Sequence, residues 1–221
     1  MILEVKNIKK IYHQAQREIN VLKDVNFSLS DGKSLAILGK SGSGKSTLLA
    51  ILSGLVGPDT GEIKFLGESL LEKNEDELTQ LRASKIGIIF QQYHLLSHLT
   101  ALENVTLSLE INKIPDPEDR ALDILKKVGL EDRSDHFPYQ LSGGEQQRVA
   151  IARSLVMNPH LILADEPSGS LDTETGAQVM DILFNITREK GMILVTHNKD
   201  LAKRCDQTLY LDKGVLSEYS G

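Results

Sequence analysis

The chain has 221 residues, 40% of them hydrophobic and 25% charged, a composition that can bury a sizeable core and excludes disorder and fibres. At roughly 150 residues per domain, one large domain or a core with an insert is expected. The formal net charge of −6 argues against binding nucleic acid by counterion release and against a polybasic membrane anchor.

Ile2 to Ile8 alternates apolar and polar residues and reads as a strand; Val21 to Ser30 reads as a second, closed by the turn Asp31-Gly32. Ser34 to Leu38 is a short apolar run that stops at a glycine-rich loop, and Lys45 to Leu52 then has helical composition ending at Gly54. Further apolar runs, Ile86 to Phe90, Leu161 to Ala164 and Met192 to Val195, lack solvent-facing alternation, as parallel strands covered on both faces do. Between Gln92 and Leu141 the character changes to helix. Thr100-Ala-Leu-Glu103 forms a capping box before Val105 to Leu109, and Asp119 to Val128 ends at Gly129. A second box, Ser142-Gly-Gly-Glu145, opens a helix that Pro159 stops, and Thr173 to Lys190 reads as an amphipathic helix closed by Gly191.

No targeting or spanning segment is expected. Met1 leads directly into Ile2-Leu3-Glu4-Val5 without a basic n-region or an apolar h-region. The longest stretch without Asp, Glu, Lys or Arg, Ile86 to Leu102, contains Gln91, Gln92, His94, Ser97 and His98 and is too polar to cross a bilayer. Cys205 is the only cysteine, which suits a reducing compartment.

Two segments carry chemistry on their own terms. Gly39, Lys40, Ser41, Gly42, Ser43, Gly44, Lys45, Ser46 and Thr47 match the phosphate-loop pattern, with a strand before and a helix after. Glycines let backbone amides approach phosphates, the helix N-terminus adds its positive end, Lys45 neutralises β/γ-phosphate charge, and the Ser46 hydroxyl can ligate Mg²⁺. Asp165 and Glu166 end an apolar strand, where successive side chains diverge, so one carboxylate can serve a metal and the other a water.

Leu141-Ser-Gly-Gly-Glu-Gln-Gln-Arg148 discriminates further: with it the chain resembles the ATP-binding cassette (ABC) ATPases, whose signature begins LSGGQ. The other marks follow in that family's order. They are Tyr12 near the first strand, Gln91 after the strand Ile86 to Phe90, Ser170-Leu171-Asp172 after the acidic pair, and His197 after Met192 to Thr196. The resemblance covers essentially the whole chain. It implies an α/β, RecA-like phosphate-loop NTPase core with a mainly parallel central sheet, an antiparallel β subdomain and a helical insert. One such domain is expected over 1–221. Residues 1–91 and 157–221 would form the nucleotide-binding core with the β subdomain, and about 92–156 the helical subdomain.

The resemblance also assigns roles, with ATP and Mg²⁺ as cofactors. Asp165 holds Mg²⁺ through water, with Ser46 and Gln91 as the other metal-side groups. Glu166 is general base, and Gln91 senses Mg²⁺ and γ-phosphate. His197 contacts the γ-phosphate, and Tyr12 is the adenine platform. Ser142, Gly143 and Gly144 complete the ATP site of a second copy, and Asp172 lies at that interface. A homodimer clamping two ATPs is thus implied.

The interval Thr47 to Gln140 has no sustained heptads, unlike chromosome-organising and repair relatives, and the chain holds one cassette where translation-factor relatives hold two. A subunit peripheral on the cytoplasmic face, partnered by separate transmembrane chains, is therefore expected. Val21-Leu-Lys-Asp-Val, Leu99-Thr-Ala-Leu-Glu-Asn-Val105, Gln140 to Arg153 and Leu201-Ala-Lys-Arg204 look closest to the lipoprotein-release and macrolide-efflux branch (LolD-like, MacB-like, YbbA-like). Ser168-Gly169-Ser170 departs from the branch's Thr-Gly-Asn. The alternative is a regulatory, FtsE-like ATPase that controls cell-wall hydrolysis without transport.

Overall fold

The computed structural model describes residues 1–14 and 17–219. In chain order the elements are β1 (Leu3–Gln14), β2 (Arg17–Leu29), β3 (Ser34–Leu38), α1 (Lys45–Leu52), β4 (Thr60–Phe65), β5 (Glu68–Ser69), α2 (Glu75–Lys85) and β6 (Ile86–Ile89). There follow α3 (Ala101–Ile111), α4 (Pro117–Lys127), α5 (Gly143–Leu155), β7 (Leu161–Asp165), α6 (Thr173–Ile186), β8 (Gly191–Thr196), α7 (Lys199–Ala202), β9 (Gln207–Asp212) and β10 (Val215–Glu218). Two compact units are formed, one by Met1–Arg82 with Glu189–Gly221 and the other by Ala83–Arg188.

The first unit holds an antiparallel sheet ordered β2-β1-β4-β5. Its apolar positions meet across the strands: Leu3 pairs with Leu29 and with Phe65, and Val5 with Ile63, all buried. The expected first strand thus exists but runs six residues beyond Ile8, because the bulge at Asn7 (φ 53) lets β1 continue after its alternation breaks. The same unit holds β10-β9-β3-β8, where β3 is parallel to both β8 and β9, and β10 closes the edge antiparallel to β9. Every residue of β8 is buried, as its unbroken apolar run predicts. Ala36, Leu38 and Ala202 pack against partly buried Cys205, and that burial pushes its thiol up to about 12.

Asp206 ties the start of β3 to the start of β9. Its carboxylate accepts from Lys33 Nζ at 2.8 Å, the Ser34 amide at 2.8 Å and the Ser34 hydroxyl at 2.7 Å. The Lys33 ammonium and the Ser34 donors hold it at about 2, below the ordinary 3.8. Since the folded value is depressed, this stabilisation is complete above the unfolded value and fades as pH falls from about 4 to about 2. The side chain is 42% exposed, so screening limits the effect to about 1 kcal/mol. Asp206→Asn is expected to lose that amount at pH 7 and to flatten the decline between pH 4 and 2 in denaturant titrations; an unchanged pH profile would assign the decline to other carboxylates.

In the second unit β6 and β7 are parallel, with Ile86 opposite Leu161 and Ile89 opposite Ala164. Helix α5 lies close to β6 because Gly87 leaves room: a Cβ there would run into the Ser154 carbonyl and come within 2.9 Å of Ile162 Cδ1. Both expected capping boxes are present. Thr100 N donates to Glu103 Oε2 at 2.7 Å, and Ser142 N to Glu145 Oε2 at 2.8 Å. The first box opens α3 at Ala101, and residues 92–100 before it are irregular. One expectation needs correction: α6 stops at Ile186 instead of Lys190, where the Thr187 hydroxyl donates back to the Leu183 carbonyl at 2.8 Å. Gly191 is the first residue of β8 and closes no helix.

Candidate functional site

The first unit carries the phosphate loop, Tyr12 and His197. Leu38 ends β3, residues 39–44 turn, and Lys45 opens α1 behind Gly44, whose φ of 106 favours glycine. The turn has no room for a side chain at its start, since a Cβ on Gly39 would lie 2.5 Å from the Leu211 carbonyl and 2.6 Å from Ser43 Oγ. Lys45 is only 9% exposed, and its ammonium donates to the Gly39 and Lys40 carbonyls, each at 2.9 Å. Beside it, the buried Ser43 hydroxyl has no hydrogen-bond partner among the described residues. A buried cation and an unmet hydroxyl donor at a helix N-terminus fit an anion with several acceptor oxygens, which is the chemistry of a polyphosphate. Lys40, Ser41, Gly42 and Ser46 are exposed around them, and Thr47 is half-buried. Tyr12 pairs with Ile19 across β1 and β2, and both side chains are exposed. His197 is exposed where β8 ends, between buried Thr196 and Asn198, which caps α7.

The second unit brings together Gln91, the Ser142 segment and the acidic pair. Asp165 ends β7, and Glu166 adopts φ 45, an uncommon conformation for a residue with a side chain. The turn behind it is held by Gly169 N, which donates to the Glu166 carbonyl at 2.9 Å. Gln91 lies against that turn. The Ser170 hydroxyl donates to the Gln91 carbonyl at 3.3 Å, and a Cβ on Gly169 would meet Gln91 Nε2 at 3.0 Å. Ser142 is exposed as the N-cap of α5, Gly143 is half-buried and Gly144 buried against Thr175. Asp172 caps α6 by accepting from Thr175 N at 3.0 Å, and those amide bonds keep its carboxyl below the usual range. The Ser142 amide likewise lowers Glu145, with help from Arg133 at 3.2 Å.

Three residues without a sequence-based assignment organise this unit. Gln147, fully buried on α5, donates to the Pro167 carbonyl at 2.7 Å and the Phe90 carbonyl at 3.4 Å, so it joins the signature helix to the turns after both strands. Arg153 donates to the Tyr93 and His94 carbonyls at 2.9 and 2.6 Å. Asn104 accepts from Leu96 N at 2.8 Å and donates to the carbonyls of Leu96, Leu99 and Thr100, closing residues 96–100 on the first turn of α3.

Strand, glycine turn, buried lysine and helix define a phosphate-loop nucleotide-binding protein. The ABC transporter family profile matches residues 22–169. The chain is 44% identical to the uncharacterised ABC transporter ATP-binding protein YbbA of Escherichia coli K12, over 98% of this chain and 97% of that protein. Among solved structures it is 40% identical to the cassette MJ0796 in a dimeric post-hydrolysis state bound to ADP and Pi, with a TM-score of 0.89 and both chains fully covered. It is 30% identical to cbiO1 of Clostridium perfringens, part of the transporter complex cbiONQ, with a TM-score of 0.87 over 98% of this chain and 86% of that one. The chain therefore belongs to the ABC transporter family; it has the ABC ATPase fold and is an ATP-binding subunit with ATPase activity. Among the described residues no helix is long and apolar enough to cross a membrane.

Proposed function

We propose that two copies of this chain close around two ATP molecules on the cytoplasmic face of a membrane and drive separate transmembrane subunits. The observation that carries this reading is the head of α1, where buried Lys45 and the unpartnered Ser43 hydroxyl lie in a turn too tight for a side chain at Gly39. The amides of residues 39–47 and the Lys45 ammonium hold the β- and γ-phosphates, and Tyr12 stacks on adenine. Ser46 and Gln91 would hold Mg²⁺ through hydroxyl and amide oxygens and Asp165 would hold it through water, hard donors of the kind the ion takes, and its charge would offset that of the phosphates. Glu166 accepts a proton from water as the water oxygen bonds to the γ-phosphorus and the bond to the β-bridging oxygen breaks. Gln91 and His197 read the γ-phosphate. Ser142, Gly143 and Gly144 present the α5 N-terminus to the γ-phosphate held by the partner copy, with Asp172 at that interface. Residues 1–91 and 157–221 act as the nucleotide-binding core, and about 92–156 as the helical subdomain.

Lys45→Ala is expected to weaken MgATP binding by about 10- to 100-fold, since charge-assisted hydrogen bonds to phosphate are lost while the amide cradle stays. Calorimetric titration giving wild-type affinity would overturn the assignment. The finer reading, export or extraction of a lipophilic or lipoprotein substrate, rests on the resemblance of the quoted stretches to the lipoprotein-release and macrolide-efflux branch. Co-purification tests that finer reading: a transmembrane partner with a large extracytoplasmic domain supports it, and a cell-wall hydrolase regulator replaces it with FtsE-like control.

A further inference from the structure

Lys10 and Asp59 form a brace behind Tyr12. Lys10 stands two residues before Tyr12 on β1, and its side chain is only 14% exposed. A lysine stem is flexible and its ammonium ordinarily seeks water. Here the ammonium donates to the Gly57 carbonyl at 2.8 Å and to Asp59 Oδ1 at 3.2 Å. The other oxygen of the same carboxylate, Asp59 Oδ2, accepts from the Ile11 amide at 2.6 Å, and the Asp59 amide donates to the Lys9 carbonyl at 2.9 Å. Three consecutive residues of β1 are thereby tied to one short turn, and the Lys10 ammonium is held over the Tyr12 ring, 5.5 Å from its centroid. That distance is within cation–π range. The Tyr12 side chain remains 40% exposed, so the ring is braced by a cation and still open to a ligand. The turn that holds Lys10 follows α1, whose first residue is Lys45, so one short stretch of chain links the phosphate loop to the aromatic ring.

We infer that Lys10, clamped by Asp59, is a positioning residue for the base of ATP: it fixes the Tyr12 ring with one face against the ammonium and the other presented to adenine. The inference rests on the reading of Tyr12 as the adenine platform. It differs from a general structural role in predicting that the phosphates do not feel the loss. Lys10→Met keeps the apolar stem and removes the cation.

The test is calorimetric titration of the full chain with MgATP and with magnesium tripolyphosphate, which has no base, together with steady-state kinetics. Lys10→Met should weaken ATP about three- to tenfold, raise KM by the same factor, and leave tripolyphosphate affinity and kcat unchanged. Lys10→Arg should restore ATP binding, and Asp59→Asn should weaken ATP in the same direction by releasing the ammonium. Because Lys10 acts through the ring, Lys10→Met combined with Tyr12→Ala should bind ATP no more weakly than Tyr12→Ala alone. Full ATP affinity in Lys10→Met beside a weakened Tyr12→Ala would overturn the inference and leave the platform standing. Additive losses, or an equal loss of tripolyphosphate, would make Lys10 a support of the fold and also overturn it. If Tyr12→Ala binds ATP normally, the platform reading falls and the brace with it. Should Lys10→Met fail to fold, Asp59→Asn carries the same comparison, with Lys10→Arg as the control that keeps the cation.

Discussion

Glu166→Gln is expected to keep ATP bound and to slow turnover by about 10² to 10⁴, the contribution of a positioned general base. The amide matches the carboxylate in shape but cannot take the water's proton. The backbone around it should not respond, because the turn is held by Gly169 N on the Glu166 carbonyl and by Gln147 on the Pro167 carbonyl, neither of which involves the replaced carboxylate. Phosphate release measures the first effect. Gel filtration measures a second: with hydrolysis blocked, ATP should hold two copies together while ADP should not. A variant that hydrolyses ATP at the wild-type rate would move the base to another residue.

The other large effect tests whether one ATP site needs two chains. Ser142 is exposed at the start of α5, with the helix amides behind it, and an arginine there places bulk where a phosphate from the partner copy would close. Ser142→Arg homodimers should be inactive, as should Lys45→Ala homodimers. In a mixed dimer of the two variants both lesions fall in one composite site and neither in the other, so single-site hydrolysis should return. Replacing Ser142 also removes an N-cap, at a cost of about 1 kcal/mol. Ser142→Ala carries that cost and loses the hydroxyl without adding bulk, so it should keep more activity than Ser142→Arg, which separates loss of the cap from obstruction. An active Ser142→Arg homodimer refutes the composite site.

What could be read in advance was what is local in the chain. The phosphate loop announces itself because the glycine positions, the lysine and the flanking strand and helix all lie within residues 34–52, and each has a separate physical reason. The two capping boxes are four-residue patterns, and both formed as hydrogen-bonded pairs. Helix α6 was overextended because its amphipathic pattern continues to Lys190, whereas a single threonine hydroxyl bonding back to the Leu183 carbonyl marks its end. Residues 96–100 take their shape from a partner outside the segment: Asn104 supplies hydrogen bonds to it from α3, and nothing in the segment itself signals this. Gln147 and the pair of Lys10 with Asp59 were invisible for want of proximity, since their partners lie 20 to 57 and 49 residues away along the chain. The short strands β4, β5, β9 and β10 had too little pattern to register and took their form from the neighbours they pair with.

The thiol of Cys205 has a practical consequence for measuring the motion proposed above. Packed against Ala36, Leu38 and Ala202, the Cys205 thiol is partly buried, and that burial disfavours the reactive thiolate. Maleimide and nitroxide reagents should label it more slowly than a cysteine on the open surface, so brief labelling of the natural sequence leaves a low background. A single cysteine introduced on the surface of each copy would then report the distance between two copies as ATP is added, with no need to replace the native residue.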